Sequence, residues 1–87
     1  MQLKILSPKQ VIFEGEATSV KLAGDLAEFE ILDYHAPIVS LLRTGNVEVD
    51  GTHKIPIQRG MLRFDRNECT ILVEEVSSAM RRVKAGR

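Results

Sequence analysis

Polar and apolar residues alternate in short runs along nearly the whole chain, and this period of two most limits the folds open to it. In QLKILS, Leu3 and Ile5 alternate with polar neighbours; in TSVKLAG the apolar pair is Val20 and Leu22. NVEVDG sets Val47 and Val49 against Asn46, Glu48 and Asp50. Successive side chains of a strand point to opposite faces, so these runs read as half-buried strands. VIFEGE is a denser run ending at Gly15, KIPIQ and MLRFD are broken at Gly60, and CTILVE follows a turn at Arg66-Asn67. Asp50-Gly51 is a hairpin signal. Roughly eight or nine strands at intervals near ten residues predict an all-β fold, a two-sheet antiparallel β-sandwich or flattened barrel. Residues 38–42 could pass for a helical turn, but the run is brief and Gly45 follows, which favours a strand. Pro56 has no N–H for a ladder, so KIPIQ belongs at a sheet edge or a bulge.

Eighty-seven residues allow one domain. A chain of this size buries about 60–65% of its unfolded surface, enough for a single modest core. Only SSAMRRVKAGR reads as helical, with Ser77 or Ser78 as N-cap and Ala79, Met80 and Val83 as its few apolar anchors. The expected organisation is therefore a β-sandwich domain over residues 1–76 and a short helical or frayed C-terminal tail over 77–87.

Lys plus Arg and Asp plus Glu both number 12, so no net field draws the chain to nucleic acid or anionic lipid. The charge is nonetheless polarised. Acidic residues outnumber basic ones up to residue 58, and Arg59, Arg63, Arg66, Arg81, Arg82, Lys84 and Arg87 reverse the balance after it. Cys69 is the single cysteine, which excludes a disulfide framework and a Cys-based zinc site within one chain. No run of some 18 apolar residues exists and no signal peptide opens the chain, so a soluble, intracellular protein is expected, touching a membrane only through partners.

His35, Asp33 and Ser40 supply the residue types of a nucleophilic triad, but no motif frames a serine as nucleophile. His35 and His53 are too far apart for the usual zinc-ligand spacing. No glycine-rich phosphate loop opens a helix. Nucleic-acid binding would call for aromatics on a basic face, whereas Phe13, Phe29, Phe64 and Tyr34 have acidic neighbours and mostly core-type positions. No catalytic residue, metal or cofactor is expected, and His35 is expected to be a hydrogen-bonded loop residue. A sandwich that binds a small ligand or glycan would need an aromatic-lined concavity, for which one tyrosine and no tryptophan supply little.

Apolar residues that a two-sheet core does not need are more informative. In CTILVE, Cys69, Ile71 and Val73 share one face and leave Leu72 on the other. Ile38, Val39, Leu41 and Leu42 cannot all point inward, and Leu26 sits in a turn, AGDLAEFE, where a polar residue is usual. Surplus apolar surface of this kind marks contact with partners.

The order of these segments resembles the epsilon subunit of bacterial rotary ATP synthases, called delta in mitochondria. The resemblance runs from LKILSPKQVIFEGEATSVKLAG through EFEILDYHAPIVSLLRTGNVEV to RGMLRFDRNECTILVEE, and His35-Ala36-Pro37-Ile38 is its most specific part. Departures include Ala27-Glu28-Phe29-Glu30-Ile31-Leu32-Asp33 where the family has Gly-Glu-Phe-Gly-Ile-Leu-Pro, and Arg43-Thr44-Gly45 in place of Lys-Pro-Gly. The chain stops about where the family's C-terminal helical hairpin begins, so inhibition by that hairpin and ATP binding are not expected. The resemblance implies a non-catalytic central-stalk subunit of a proton-translocating ATP synthase, at the cytoplasmic face of the bacterial inner membrane. Its implied partners are the gamma subunit, the c-subunit ring and, indirectly, the alpha/beta catalytic head. The implied c-ring-facing loop is Gly24, Asp25, Leu26, Ala27 and Glu28; the implied gamma-facing residues are His35, Ile38, Ser40, Leu42, Leu72 and Met80.

Overall fold

A computed structural model describes residues 1–75 of the chain, and they form eight strands. These are β1 (Gln2–Leu6), β2 (Val11–Glu16), β3 (Ser19–Ala23), β4 (Glu28–Leu32), β5 (Ile38–Leu42), β6 (Gly45–Val49), β7 (His53–Asp65) and β8 (Glu68–Glu75). The strands pair in the order β2-β1-β8-β7-β6-β3-β4, and β5 also pairs with β7. The expected tail, including Met80, lies outside the described residues.

β7 belongs to both layers. Its first part, His53–Ile57, pairs with β6, while Gly60–Phe64 pairs with β5 and Ile57–Asp65 with β8. One layer is thus β2-β1-β8-β7-β5 and the other β7-β6-β3-β4. The two layers also meet away from β7, where Gly24, just after β3, bridges Leu42 of β5 and the Arg43 N–H donates to the Ala23 carbonyl at 3.0 Å. All pairings are antiparallel except β1 with β8, which is parallel.

The sequence suggested two strands broken at Gly60, and the structure has one strand of 13 residues. Gly60 marks the point where the strand changes neighbours. A Cβ there would lie 2.2 Å from the Leu72 carbonyl oxygen, so the bare backbone lets β8 cross close by. Pro56 behaves as expected: it pairs with Asn46 on β6 and sits one residue before the register shift between Ile57 and Arg59. The β7–β8 turn uses Arg66 (φ 52°) and Asn67 (φ 59°), the left-handed pair of a two-residue hairpin.

Between the layers lie Leu3, Ile5, Val20, Leu22, Ile31, Val47, Val49, Leu62, Phe64 and Ile71, each at most 1% exposed. Burying a side chain of this size contributes about 1.5–3 kcal/mol. No polar or charged side chain is buried among the described residues. Cys69 is buried on the same face as Ile71 and Val73, and Leu72 points outward, as the alternation predicted. Burial pushes the Cys69 thiol up to about 11. Phe64 is buried in the core, Phe13 and Phe29 pack half-buried against that core, and Tyr34 is exposed.

The carboxylate of Asp50 ties two turns together. It accepts the Thr18 N–H at 2.7 Å, the Thr18 hydroxyl at 2.9 Å and the Ser19 N–H at 3.0 Å. These donors, led by the Thr18 N–H, hold its pKa below the ordinary 3.8. A carboxyl depressed by folding contributes stability above its unfolded value and loses it as pH falls through the folded value. Unfolding titrations of Asp50→Asn are therefore expected to lie closest to wild type at the acid end, below the depressed folded value, and to diverge from it as pH rises above the ordinary 3.8. A difference independent of pH would show that the carboxylate charge is not what the turns hold.

Candidate interaction surfaces

The Gly24–Glu28 loop is built on a pinned base. The Gly24 N–H donates to the Ala27 carbonyl at 3.0 Å and the Asp25 N–H to the Leu41 carbonyl at 3.2 Å. A Cβ on Gly24 would fall 2.7 Å from the Phe29 ring and 2.8 Å from the Ala27 oxygen, so this tight return requires glycine. Asp25, Leu26, Ala27 and Glu28 are all exposed, and Leu26 is the extreme at 95%. An apolar side chain held that far out by a hydrogen-bonded base is suited to contact rather than to folding.

His35 lies at the corner between β4 and β5. Tyr34 takes a left-handed φ of 62°, and its N–H donates to Asn67 Oδ1 at 2.7 Å. The His35 N–H donates to the Leu32 carbonyl at 3.1 Å, and its Nδ1 lies 2.7 Å from the Ala36 carbonyl, which can only accept. The imidazole meets Phe64 edge-on, with ring centroids 6.0 Å apart. Asp33 pairs instead with the N-terminal ammonium of Met1, and the Ser40 hydroxyl donates to the Leu41 carbonyl at 3.1 Å. Each of the three residues weighed as a triad is thus engaged with a different partner. Among the described residues no cluster of His, Cys, Asp and Glu could hold a metal.

On β5 the inward and outward sets are the reverse of those expected. Leu42 is a core residue at 4% exposure, Ile38 packs half-buried against the core, and Ser40 is half-buried. The outward residues are Val39 and Leu41, at 68% and 61% exposure. Their parity is dictated by pairing: Ser40 opposes buried Leu62, and Ile38 opposes buried Phe64. Leu42 is therefore corrected from a surface contact to a core anchor.

Sequence reasoning missed what the outer face then forms. Leu41 pairs with Met61, Met61 with Leu72, Leu72 with Leu6, and Leu6 with Val11. Five apolar side chains therefore cross β5, β7, β8, β1 and β2 in one row, about 19 Å long at the usual strand spacing. Four of the five, Leu6, Leu41, Met61 and Leu72, line an open groove of about 950 Å³ whose charged lining is Asp25, Arg43, Arg59 and Glu74. The other layer presents the opposite chemistry. Glu30, Lys21, Glu48 and Lys54 form a row of alternating sign across β4, β3, β6 and β7. One face is thus suited to water and the other to a partner.

Residues 1–79 match the family model described as the ATP synthase delta/epsilon chain β-sandwich domain. An ATP synthase epsilon chain of Campylobacter fetus is 40% identical over 78 residues, covering 85% of this chain and 60% of the relative. That of Sulfurimonas denitrificans is 35% identical with the same coverage. The chain thus spans about 60% of the length of these curated relatives. An epsilon chain of Chlorobium limicola is 32% identical over 80 residues and is covered over 91% of its length. The fold is similar to a chain in the central stalk/c-ring structure of the Tetrahymena thermophila mitochondrial ATP synthase. There the TM-score is 0.75 at 12% identity, over 85% of this chain and 63% of that one. A chain of the Euglena gracilis mitochondrial ATP synthase gives 0.74 at 19% identity, over 95% and 62%.

Proposed function

Because the chain belongs to the delta/epsilon family of ATP synthase chains, through their β-sandwich domain, we propose that it is a non-catalytic central-stalk subunit of a proton-translocating ATP synthase. One side binds the gamma subunit and the Gly24–Glu28 loop rests on the c-subunit ring, so that the chain holds the rotor parts in register while proton flow turns them. ATP is made elsewhere, in the alpha/beta head, and the chain needs no cofactor of its own. It sits at the cytoplasmic face of the bacterial inner membrane, held there by its partners.

The family match over residues 1–79 carries this reading. The 95% exposure of Leu26 on its pinned loop supports the c-ring contact. The apolar row supports a gamma-facing side made of Leu41, Met61 and Leu72, with Val39 at its border, Ile38 and Leu42 beneath it, and His35 at the β4–β5 corner.

A tagged pull-down from detergent-solubilised membranes tests the role. Recovery of gamma with alpha, beta and c is expected; intact synthase in the extract with none on the resin would sink the proposal. Leu26→Asp is expected to weaken retention of c while leaving stability within about 0.5 kcal/mol of wild type, as surface changes do. His35→Ala is expected to weaken gamma retention and to remove no reaction.

A further inference from the structure

We propose that the partner surface on the apolar row is an apolar ridge flanked by carboxylates, which engage Arg43 and Arg63. This rests on the gamma-binding role proposed above and adds the chemistry of the contact. Four cations border the Leu41–Met61–Leu72–Leu6 row. Lys4 is paired with Glu14 at 3.7 Å and Arg59 with Glu74 at 3.4 Å. Arg43 and Arg63 form no ion pair among the described residues, and both are exposed. They lie on opposite sides of the Leu41–Met61 pair. Arg43 follows Leu41 by two residues on the groove wall, and Arg63 opposes Val39 on the far side. Four residue steps of strand separate these two levels, about 14 Å.

Two exposed guanidiniums with no ion pair among the described residues, straddling an apolar pair, fit carboxylates that straddle an apolar ridge. Arginine is suited to this because its planar fork binds a carboxylate by two parallel hydrogen bonds. The same charges argue against a second copy of this chain. A two-fold copy stacked on the row with β8 at the centre sets Arg63 opposite either Lys4 or Arg59 of its mate, according to which way the row runs. Like charges in that position are destabilising.

The test is binding of the isolated chain to synthase purified without it, titrated from about 50 to about 300 mM salt, a range over which surface charges become screened. Wild type is expected to weaken as salt rises. Arg43→Glu with Arg63→Glu is expected to bind about tenfold or more weaker and to lose most of that salt dependence, because rim charges act through complementary fields. Met61→Asp is expected to abolish binding. Lys21→Glu with Lys54→Glu, on the alternating face, is expected to leave binding of the folded chain unchanged. Thermal melts confirm that each variant is folded.

Wild-type binding that the arginine reversals leave intact, while Met61→Asp removes it, would overturn the acidic partner surface and leave the stalk role standing. Binding untouched by Met61→Asp would overturn the face itself. A wild-type chain that fails to bind synthase at all would overturn the stalk role and this inference together. Sedimentation of the isolated chain as a dimer that Met61→Asp dissolves would assign the row to a second copy and overturn the proposal.

Discussion

Gly60→Ala is expected to cost about 3 kcal/mol or more, at or above the top of the usual range for overpacking by a single added carbon. On a domain whose whole stability lies in the range of about 5–15 kcal/mol, that leaves a chain unfolded under mild stress. The reason is geometric. The added carbon would stand 2.2 Å from the Leu72 oxygen and 3.2 Å from the Val73 Cα, both in the backbone of β8. A flexible side chain could swing aside, but a paired strand moves only by breaking its ladder. Gly60 sits in that ladder opposite Val73, and opposite Leu42 on its other side. At an unhindered site the same substitution would stabilise by about 0.4–1 kcal/mol through the unfolded chain, so the sign alone is diagnostic. Urea titration measures it as a lower midpoint at unchanged slope. A loss under about 1 kcal/mol would mean that β8 does not press on β7 as closely as these distances require.

Phe64→Ala is expected to cost a similar amount, about 3–5 kcal/mol, by a different route. Phe64 is 1% exposed and is among the largest fully buried side chains. Its strand positions face Ile38 on β5 and Cys69 on β8, so the cavity would open where β7 joins its two neighbours. Phe64→Leu keeps most of the volume and is expected to lose less than about 1.5 kcal/mol. The edge-on contact with His35 gives a second readout. A double-mutant cycle between Phe64→Leu and His35→Ala is expected to show coupling of about 0.5–1.5 kcal/mol, the range for such ring pairs. No coupling would mean that the His35 corner is held by its backbone bonds alone.

The strands were largely legible because a half-buried strand writes its two faces into consecutive residues. The Cys69–Val73 face, the exposed Leu72, the Arg66-Asn67 turn and the protruding Leu26 could each be read from local order. Two things could not. The break placed at Gly60 was wrong because glycine ends a strand in one context and admits a close neighbour in another, and only the position of β8 separates them. The parity of β5 was wrong because four of its five residues are apolar, so alternation there carries no sign.

That second error hid the most consequential feature of the surface. Leu6, Val11, Leu41, Met61 and Leu72 come from five separate segments and share no spacing along the chain. They become a row only through register, and register is a property of paired strands rather than of any one of them. By itself, then, the sequence determined that this chain would be a small all-β domain with apolar residues to spare. It also carried the family resemblance. The tertiary structure decided which of those spare residues stand together, since adjacency across a sheet depends on hydrogen bonds between segments whose separation along the chain ranges from a few residues to dozens.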